Sequence, residues 1–402
     1  MWTKRRHKII VALVKPLFKI IGFFKFGYRY KKYKLNKKEA YIIVSNHQTV
    51  FDHFMYGLAF NRNLYYIATE DIFSMGFLSK LLKFAVAPIP KSKSMRDSQT
   101  VRISMQVVKE KGVIMVSPEG NRTYSGETAY IDPAIAKFVK LLKVTLIIFN
   151  ITGGYGVHPR WANKSRKGKT FGEVVKILTY DEYKDLSNEE LYDIIKTNLY
   201  VDDTTTKNTY KSKKSAEYCE RFLYVCPNCG ITKIYSKGEY IYCPECELKV
   251  KYNENLEFEV VEGKFNFLNM KEWYHYQEDF VSKLNFEKFK EEEVIFSDEG
   301  VFLLKQEKNV KKINILEGQI VLYKNRITIN NNKKDYTFYF DDIDAMTALG
   351  KNKLGFYLND ETFQVKSNVR FNPVKYMHLF YHYKNTQKGE KDDFRSSEFL
   401  GL

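Results

Sequence analysis

Through the first half of the chain, short apolar runs alternate with amphipathic stretches. Tyr41-Ile42-Ile43-Val44, Val113-Ile114-Met115-Val116 and residues 144–149 are aliphatic and β-branched. Runs of this kind predict strands buried on both faces. Residues 63–69 and 85–89 also suit extended segments. Between these runs lie helical patterns over 52–60 and 98–111, the latter with Val101, Met105 and Val108 on one face, and an apolar stretch over 72–84 with only Lys80 and Lys83. Gly112 ends that helix. Asp132-Pro133 opens another, running to about 142, and Ser187-Asn188-Glu189-Glu190 is a capping box for a helix to about 199. The alternation predicts an α/β domain over 36–200 with a mixed, largely parallel sheet flanked by helices, whose strand-end loops carry the chemistry.

The texture then changes. Residues 201–218 are polar and read as a linker, and two Cys-x-x-Cys pairs occupy 226–246 in a module bounded at 219–255. From about 292, short alternating strands are expected at 294–296, 301–304, 321–323, 326–329, 336–340, 354–358 and 363–365. Asn372-Pro373 opens a closing helix to about 383. This is a small β-barrel-like domain with a C-terminal helix over 256–386, followed by a polar tail over 387–402. No internal repeat is visible.

A length of 402 residues fits two or three domains. The net charge of +17 is concentrated at one end. Residues 1–38 hold thirteen Lys or Arg and no acid, while everything from Glu39 onward nets only +4. The same end carries the aliphatic clusters Ile9-Ile10-Val11-Ala12-Leu13-Val14 and Ile20-Ile21-Gly22-Phe23-Phe24. Lys15, Pro16 and Lys19 break the run, so no spanning helix of about 18 apolar residues forms, and no small-residue cleavage site follows. Residues 1–35 therefore read as a basic amphipathic segment at the membrane interface, apolar groups among acyl chains and cations against anionic lipids. The simpler alternative is a basic helix packed on the protein's own core. The expected location is the cytoplasmic face of the cell membrane, peripheral or monotopic. No nucleic-acid partner is expected, because the charge sits among aliphatic side chains and not among stacking aromatics.

Four of five cysteines form Cys226-x-x-Cys229 and Cys243-x-x-Cys246, without a secretory signal before them. Such pairs read as a four-thiolate zinc ribbon and not as disulfides. A site with four protein ligands has no open position, so the zinc is expected to be structural.

The residues best placed for chemistry follow the first strand: Ser45-Asn46-His47-Gln48-Thr49-Val50-Phe51-Asp52. His47 and Asp52 would point about 140° apart on one helix, so they meet only if the chain turns between a strand end and a new helix. The pair then forms a base with an orienting carboxylate. A second polar strand end, Ser117-Pro118-Glu119-Gly120-Asn121-Arg122-Thr123, follows the strand at 113–116. Together these segments resemble the first and third motifs of the PlsC-type glycerolipid acyltransferases, Asn-His-x4-Asp and Phe-Pro-Glu-Gly-Thr-Arg-Ser. The resemblance covers about 35–200. The family's second motif falls near Ala87-Pro88-Ile89-Pro90-Lys91, with Lys in place of Arg. Its fourth falls at Leu146-Ile147-Ile148-Phe149-Asn150, with Asn in place of Pro.

What this resemblance implies is an O-acyltransferase moving a fatty acyl group from acyl-CoA or acyl carrier protein to the hydroxyl of 1-acylglycerol 3-phosphate, with no catalytic cofactor. His47, as a neutral imidazole, would be the general base, and Asp52 would hold its tautomer. Arg122 would grip the acceptor phosphate, aided by Lys91 or Lys93, with Gly120 admitting the ligand and Glu119 in acceptor binding. His53 and His158 are expected to be structural. The C-terminal domain resembles a pleckstrin-homology-like or GRAM-like domain in strand count and closing helix. A reading of a different class is an adaptor that binds membranes through its ribbon and β domain and carries an inactive acyltransferase core.

Overall fold

The computed structural model describes residues 1–69, 77–91, 98–306, 312–358 and 361–388. Lys93, the start of the apolar stretch at 72–84, and the polar tail beyond 388 lie outside the described residues. The chain divides into two compact units, the first running to Arg160 and from Lys164 to Lys211, the second holding 161–163 and continuing from Ser212.

The first unit opens with helix α1 (Arg5–Phe26), then β1 (Tyr28–Tyr30), β2 (Tyr41–Ser45), α2 (Asp52–Ala59), β3 (Tyr65–Thr69), α3 (Phe77–Ala85) and β4 (Ile89–Lys91). It continues through α4 (Ser98–Lys109), β5 (Val113–Val116), α5 (Ala134–Leu142), β6 (Thr145–Thr152), α6 (Gly154–Val157), β7 (Thr170–Leu178), α7 (Tyr180–Tyr183) and α8 (Asn188–Leu199). The seven strands make one sheet in the order β1-β7-β6-β2-β5-β3-β4. Only β6 and β7 run antiparallel, so the sheet is mixed and largely parallel as the alternation requires.

β2 lies between β6 and β5, and all five of its residues are buried. Ile42 and Val44 join Ile114, Val116, Leu146 and Ile148 in a core covered by α4, α5 and α8. On the opposite side Phe149 packs against Tyr56 and Phe60. Burial on two faces explains why β2 reads as a continuous apolar run. β1 pairs with β7, and Tyr28, 2 % exposed, donates its hydroxyl to the Met55 carbonyl at 3.0 Å. The segment expected at the membrane interface over 1–35 therefore ends in the sheet, and only α1 is peripheral to it.

The helix at 98–111 forms, but with a different inner face. Thr100, Ile103, Ser104 and Val107 are buried, while Met105 is exposed. Thr100 Oγ1 donates to the Pro90 carbonyl at 2.5 Å, so two hydroxyl side chains occupy core positions that a hydropathy pattern assigns to the surface. The expected linker is ordered too. A 3-10 turn at Asp203–Thr205 and a fully buried Tyr210 fasten residues up to Lys211 onto the first unit.

The second unit contains the hairpin β8 (Val225–Cys226) and β9 (Gly230–Ile231), then β10 (Tyr235–Lys237), β11 (Tyr240–Tyr242), β12 (Lys249–Tyr252) and β13 (Phe258–Glu262) in one antiparallel sheet. β13 carries the ribbon sheet past the expected limit at residue 255. Helix α9 (Met270–Ser282) follows, capped by Asn269 and burying Met270, Trp273, Gln277 and Val281. Strands β14 (Phe296–Gln306), β15 (Lys312–Leu322), β16 (Arg326–Asn330), β17 (Asp335–Tyr339), β18 (Ala345–Leu349), β19 (Lys353–Leu358) and β20 (Glu361–Lys366) form a second antiparallel sheet, in the order β17-β16-β15-β14-β20-β19-β18. Helix α10 (Val374–Lys388) packs on β18 and β19. The expected strands at 294–296 and 301–304 are largely one bulged strand, β14, with register shifts at Asp298/Val301 and Leu303/Leu304. β18, Ala-Met-Thr-Ala-Leu, was not expected because only one of its residues is β-branched.

Candidate active site

β2 and β5 are adjacent and parallel, with Val44 opposite Val116, so the loops after them leave the same edge of the sheet side by side. The first turns sharply. Asp52 becomes the first residue of α2, where a carboxylate also suits the helix dipole. Its side chain folds back so that Oδ2 lies 2.9 Å from His47 Nδ1. Oδ2 also accepts the main-chain N–H of Gln48 at 2.7 Å and of Thr49 at 2.9 Å, and Oδ1 accepts Thr49 Oγ1 at 2.5 Å. Asp52 is fully buried. Burial raises its carboxyl pKa, but the hydrogen bond and charge of His47 and the Thr49 donors more than offset this, leaving it below the ordinary carboxylate value. With Nδ1 engaged, Nε2 is the nitrogen left to accept a proton.

The ring of His53 stacks on His47 at 5.4 Å and 17°, and on Tyr66 at 5.1 Å and 26°. Burial, followed by the proximity of His47, pushes its imidazole down to about 4, so it stays neutral beside the dyad. His158 is buried with its ring edge-on to Phe51.

Glu119 is 3 % exposed and spans two loops: Oε1 accepts the His47 N–H at 2.6 Å and Oε2 the Ala129 N–H at 2.7 Å. The Thr123 N–H returns to the His47 carbonyl at 3.3 Å. Both carboxylate oxygens are thus occupied by main-chain donors, Oε1 holding His47 and Oε2 holding Ala129. Burial raises the Glu119 carboxyl to about 8, with Asp52 adding to the effect and the two N–H donors opposing it. Gly120 has a φ of 65°, which allows the turn between Glu119 and Asn121. Arg122, half-buried, follows on the same loop, and its Nη1 atom is out of solvent with no hydrogen-bond partner among the described residues. Lys91, at the end of β4, is 8 % exposed and lines a mostly apolar cavity of about 270 Å³ with Ile67, Val116, Ile135, Phe138 and Leu141. It is not among the described partners of Arg122.

Several supports of this loop are side chains to which the motifs assign no role. Asn46 bridges to β6 with both amide atoms, donating to the Ile151 carbonyl at 2.7 Å and accepting the Ile151 N–H at 2.8 Å. Gln48 Oε1 accepts the Gly154 N–H at 2.9 Å. Asp203, fully buried, accepts the Gly153 N–H at 2.7 Å and the Tyr155 N–H at 3.0 Å, and Gln48 is a further hydrogen-bond partner. Burial pushes the Asp203 carboxyl up to about 7. Asn150, which stands where the family has Pro, donates to the Asn198 carbonyl at 2.7 Å and ties β6 to α8.

A sequence model of the family Acyltransferase matches residues 28–152, the span that holds β1 to β6 and both strand-end loops. That span of the chain is similar to an acyltransferase domain. Among solved structures it is similar to the 1-acyl-sn-glycerophosphate (LPA) acyltransferase PlsC from Thermotoga maritima, at 18% identity over 48% of this chain and 75% of that one, with a TM-score of 0.37. It is also similar to Inner Membrane Complex Sub-compartment Protein 3 from Toxoplasma gondii, at 16% identity over 27% of this chain and 85% of that one, with a TM-score of 0.16. No curated protein matches the sequence.

Outside the span matched by that family, the second unit brings Cys226, Cys229, Cys243 and Cys246 together, with all four Sγ atoms within 4.8 Å of one another. Cys226 Sγ is 3.8 Å from Cys246 Sγ, and Cys229 Sγ is 3.9 Å from Cys243 Sγ. Four thiolates about 2.3 Å from a tetrahedral ion would be spaced by roughly 3.8 Å, so the donor set fits zinc. Cys219 is buried apart from this group, and its thiol is pushed up by burial.

Proposed function

We propose that the acyltransferase domain moves a fatty acyl group from a thioester, acyl-CoA or acyl carrier protein, to the free hydroxyl of a lysophospholipid, with 1-acylglycerol 3-phosphate as acceptor and phosphatidic acid as product. The observation that carries this reading is the His47–Asp52 dyad at 2.9 Å, on the loop beside the one that carries Arg122. The acceptor oxygen attacks the thioester carbonyl carbon as its proton passes to His47 Nε2. The C–S bond then breaks, and the proton on His47 neutralises the departing thiolate. Asp52 holds the Nδ1–H and stabilises the imidazolium while it exists. Asp52 is itself held by Gln48 and Thr49, so the dyad is organised before substrate arrives. Arg122 takes the acceptor phosphate, aided by Lys91 or Lys93. Gly120 permits the close turn, and Glu119 acts by fixing the main chain of His47.

The same reading places α1 on the membrane. Leu13, Leu17, Ile20 and Phe24 recur at helical spacing and are 74%, 56%, 57% and 80% exposed, among Lys8, Lys15, Lys19 and Lys25. No described helix is long and apolar enough to cross a bilayer. An apolar stripe flanked by lysines suits the interface of an anionic leaflet at the cytoplasmic face, where a lysophospholipid presents its hydroxyl. The four cysteines hold a structural zinc that supplies folding free energy to the ribbon.

The test is purified protein with anionic liposomes, lysophosphatidate and acyl-CoA, followed by thiol release. Turnover in the wild type and its loss in His47→Ala are expected. Full turnover in His47→Ala would refute the assignment of the base.

A further inference from the structure

His53 stands in the first turn of α2, one place beyond the motif that ends at Asp52. Its ring is the common member of two stacks, on His47 at 5.4 Å and 17° and on Tyr66 at 5.1 Å and 26°. Tyr66, from β3, also fixes the main chain there, since its hydroxyl donates to the His53 carbonyl at 2.6 Å. The ring of Tyr56 stands tilted at 6.1 Å on α2 itself. His53 Nδ1 is out of solvent with no hydrogen-bond partner among the described residues. A buried nitrogen of that kind costs folding free energy that a phenyl ring in its place would not. What the side chain offers His47 is the face of its ring.

We propose that His53 is a positioning residue for acyl transfer: stacked on His47 and on Tyr66, it holds the plane of the His47 imidazole and presents an uncharged ring face to the imidazolium formed there. The proposal rests on the reading of His47 as general base, while the stack itself is read from the rings. Asp52 holds the His47 ring at one atom, Nδ1, at 2.9 Å. A ring held at one atom still tilts about its Cβ–Cγ bond and swings Nε2, and a flat neighbour against one face limits that tilt. The second effect is electrostatic. Once the acceptor proton reaches Nε2, His47 is a planar cation with its centre 5.4 Å from the centre of the His53 ring, inside the distance of about 6 Å at which ring faces attract cations. That attraction needs a neutral neighbour. Burial first, and then the proximity of His47, keep His53 uncharged, while Asp52 acts in the opposite sense. The contact is stronger with the cation than with the free base, so it favours the state in which the proton has moved and adds no affinity for either substrate.

Three variants of the full-length protein test this. His53→Leu and His53→Gln remove the ring face without and with a polar group, and His53→Phe restores a face without the unpartnered nitrogen. The first measurement needs no turnover. In histidine-labelled protein the carbon-bound ring protons of His47, assigned by their loss in His47→Gln, should move in the Leu and Gln variants as the ring current of His53 is lost, and His53→Phe should again place them under a ring. The second is thiol release from acyl-CoA with lysophosphatidate on anionic liposomes. His53→Leu and His53→Gln should each lose about tenfold or more in kcat with both KM values within about threefold, and His53→Phe should recover most of that loss. His53→Phe should melt no lower than wild type. Equal loss of kcat in all three variants overturns the proposal, because the ring face would not be what matters. So does a kcat that falls only in step with the melting temperature, or a rise in KM that accounts for the lost activity. A wild type that transfers acyl groups while its His47 signals stay unmoved in His53→Leu would refute the stack alone. A wild type without transfer whose His47 signals do move would refute the acyltransferase reading and leave the hold of His53 on that ring standing.

Discussion

Replacing Asp52 by Asn isolates the charge of the dyad from its geometry. Three N–H donors converge on Oδ2, those of His47 Nδ1, Gln48 and Thr49, and one hydroxyl reaches Oδ1. An asparagine can place its carbonyl oxygen where Oδ2 stands and keep all three donors, including the one that fixes the His47 tautomer. Its amide nitrogen then faces Thr49 Oγ1, and that hydroxyl can rotate to accept. The loop should survive with a cost of about 1–2 kcal/mol in stability. What disappears is the attraction between carboxylate and imidazolium as the acceptor proton moves to Nε2. For unit charges about 4 Å apart at an effective dielectric constant of about 20, that attraction is about 4 kcal/mol. At about 1.4 kcal/mol per decade, kcat/KM should fall by about three decades. The assay is thiol release from acyl-CoA on liposomes, with the melting temperature measured on the same preparation. A variant within fivefold of wild type would show that the carboxylate charge is not used. A variant that fails to fold would refute the claim that asparagine reproduces the oxygen's three contacts.

Four further outcomes are expected. Glu119 and Asp203 have folded pKa values of about 8 and about 7, raised above those of the unfolded chain. The fold therefore holds protons that the unfolded chain has released, and stability should fall as pH rises from about 4.5 to about 8, by about 1.4 kcal/mol per pH unit for each group that has ionised only in the unfolded chain. Asp52, shifted the other way, loses its contribution only as pH drops below the ordinary carboxylate range, so melting temperature should peak near pH 5; a rise between pH 5 and 8 would refute the sign. Cys243→Ser, or a strong chelator, should remove one equivalent of zinc and open 226–246 to proteolysis, and an unchanged digestion pattern would show that the cluster needs no metal. Leu13→Asp and Leu17→Asp should each weaken sedimentation with anionic vesicles by about tenfold or more, since each exposed leucine offers about 1.5–3 kcal/mol on burial; undiminished binding would remove α1 from the interface. Gly154→Ala would bring a Cβ to 2.6 Å from Gln48 Oε1, so kcat should drop about tenfold with a smaller change in melting temperature, and full activity would show that Gln48 does not steady the loop.

The elements legible in the sequence are those whose cause is local. β2 shows itself because five consecutive residues are buried, and α8 because Ser187 Oγ accepts the Glu190 N–H at 3.0 Å within one turn. His47 and Asp52 are five positions apart, so the turn that joins them could be anticipated from strand end and helix start. α9 carried a local signal that went unread: Asn269 caps the Glu272 N–H, and Met270, Trp273, Gln277 and Val281 mark one helical face. α4 misled for a physical reason, since its inner face includes Thr100 and Ser104 while Met105 points outward. β14 and β15 misled because bulges and exposed positions interrupt their alternation.

The supports of the site follow a different rule. Asn46 reaches Ile151, Gln48 reaches Gly154, Glu119 reaches back to His47, and Asp203 holds Gly153 and Tyr155. Each is a hydrogen bond between segments distant in sequence, and neither periodicity nor turn chemistry records such a bond. Asp203 is the clearest case. It lies in a run of Asp and Thr that composition assigns to a solvated linker, yet the fold buries it completely against two N–H groups of the loop that also holds Gln48. Burying a carboxylate is costly unless donors are waiting. The donors here are main-chain groups left open where β6 ends, at Gly153, whose φ of 77° starts α6. The strand end that could be read from sequence therefore creates the need, and a residue fifty positions later fills it. The same logic applies to Arg160, whose carbonyl acceptor on Arg122 exists only because the turn at Gly120 presents it. On the proposed reading His47 and Asp52 supply the reacting groups, and hydrogen bonds with no local signature hold them in place.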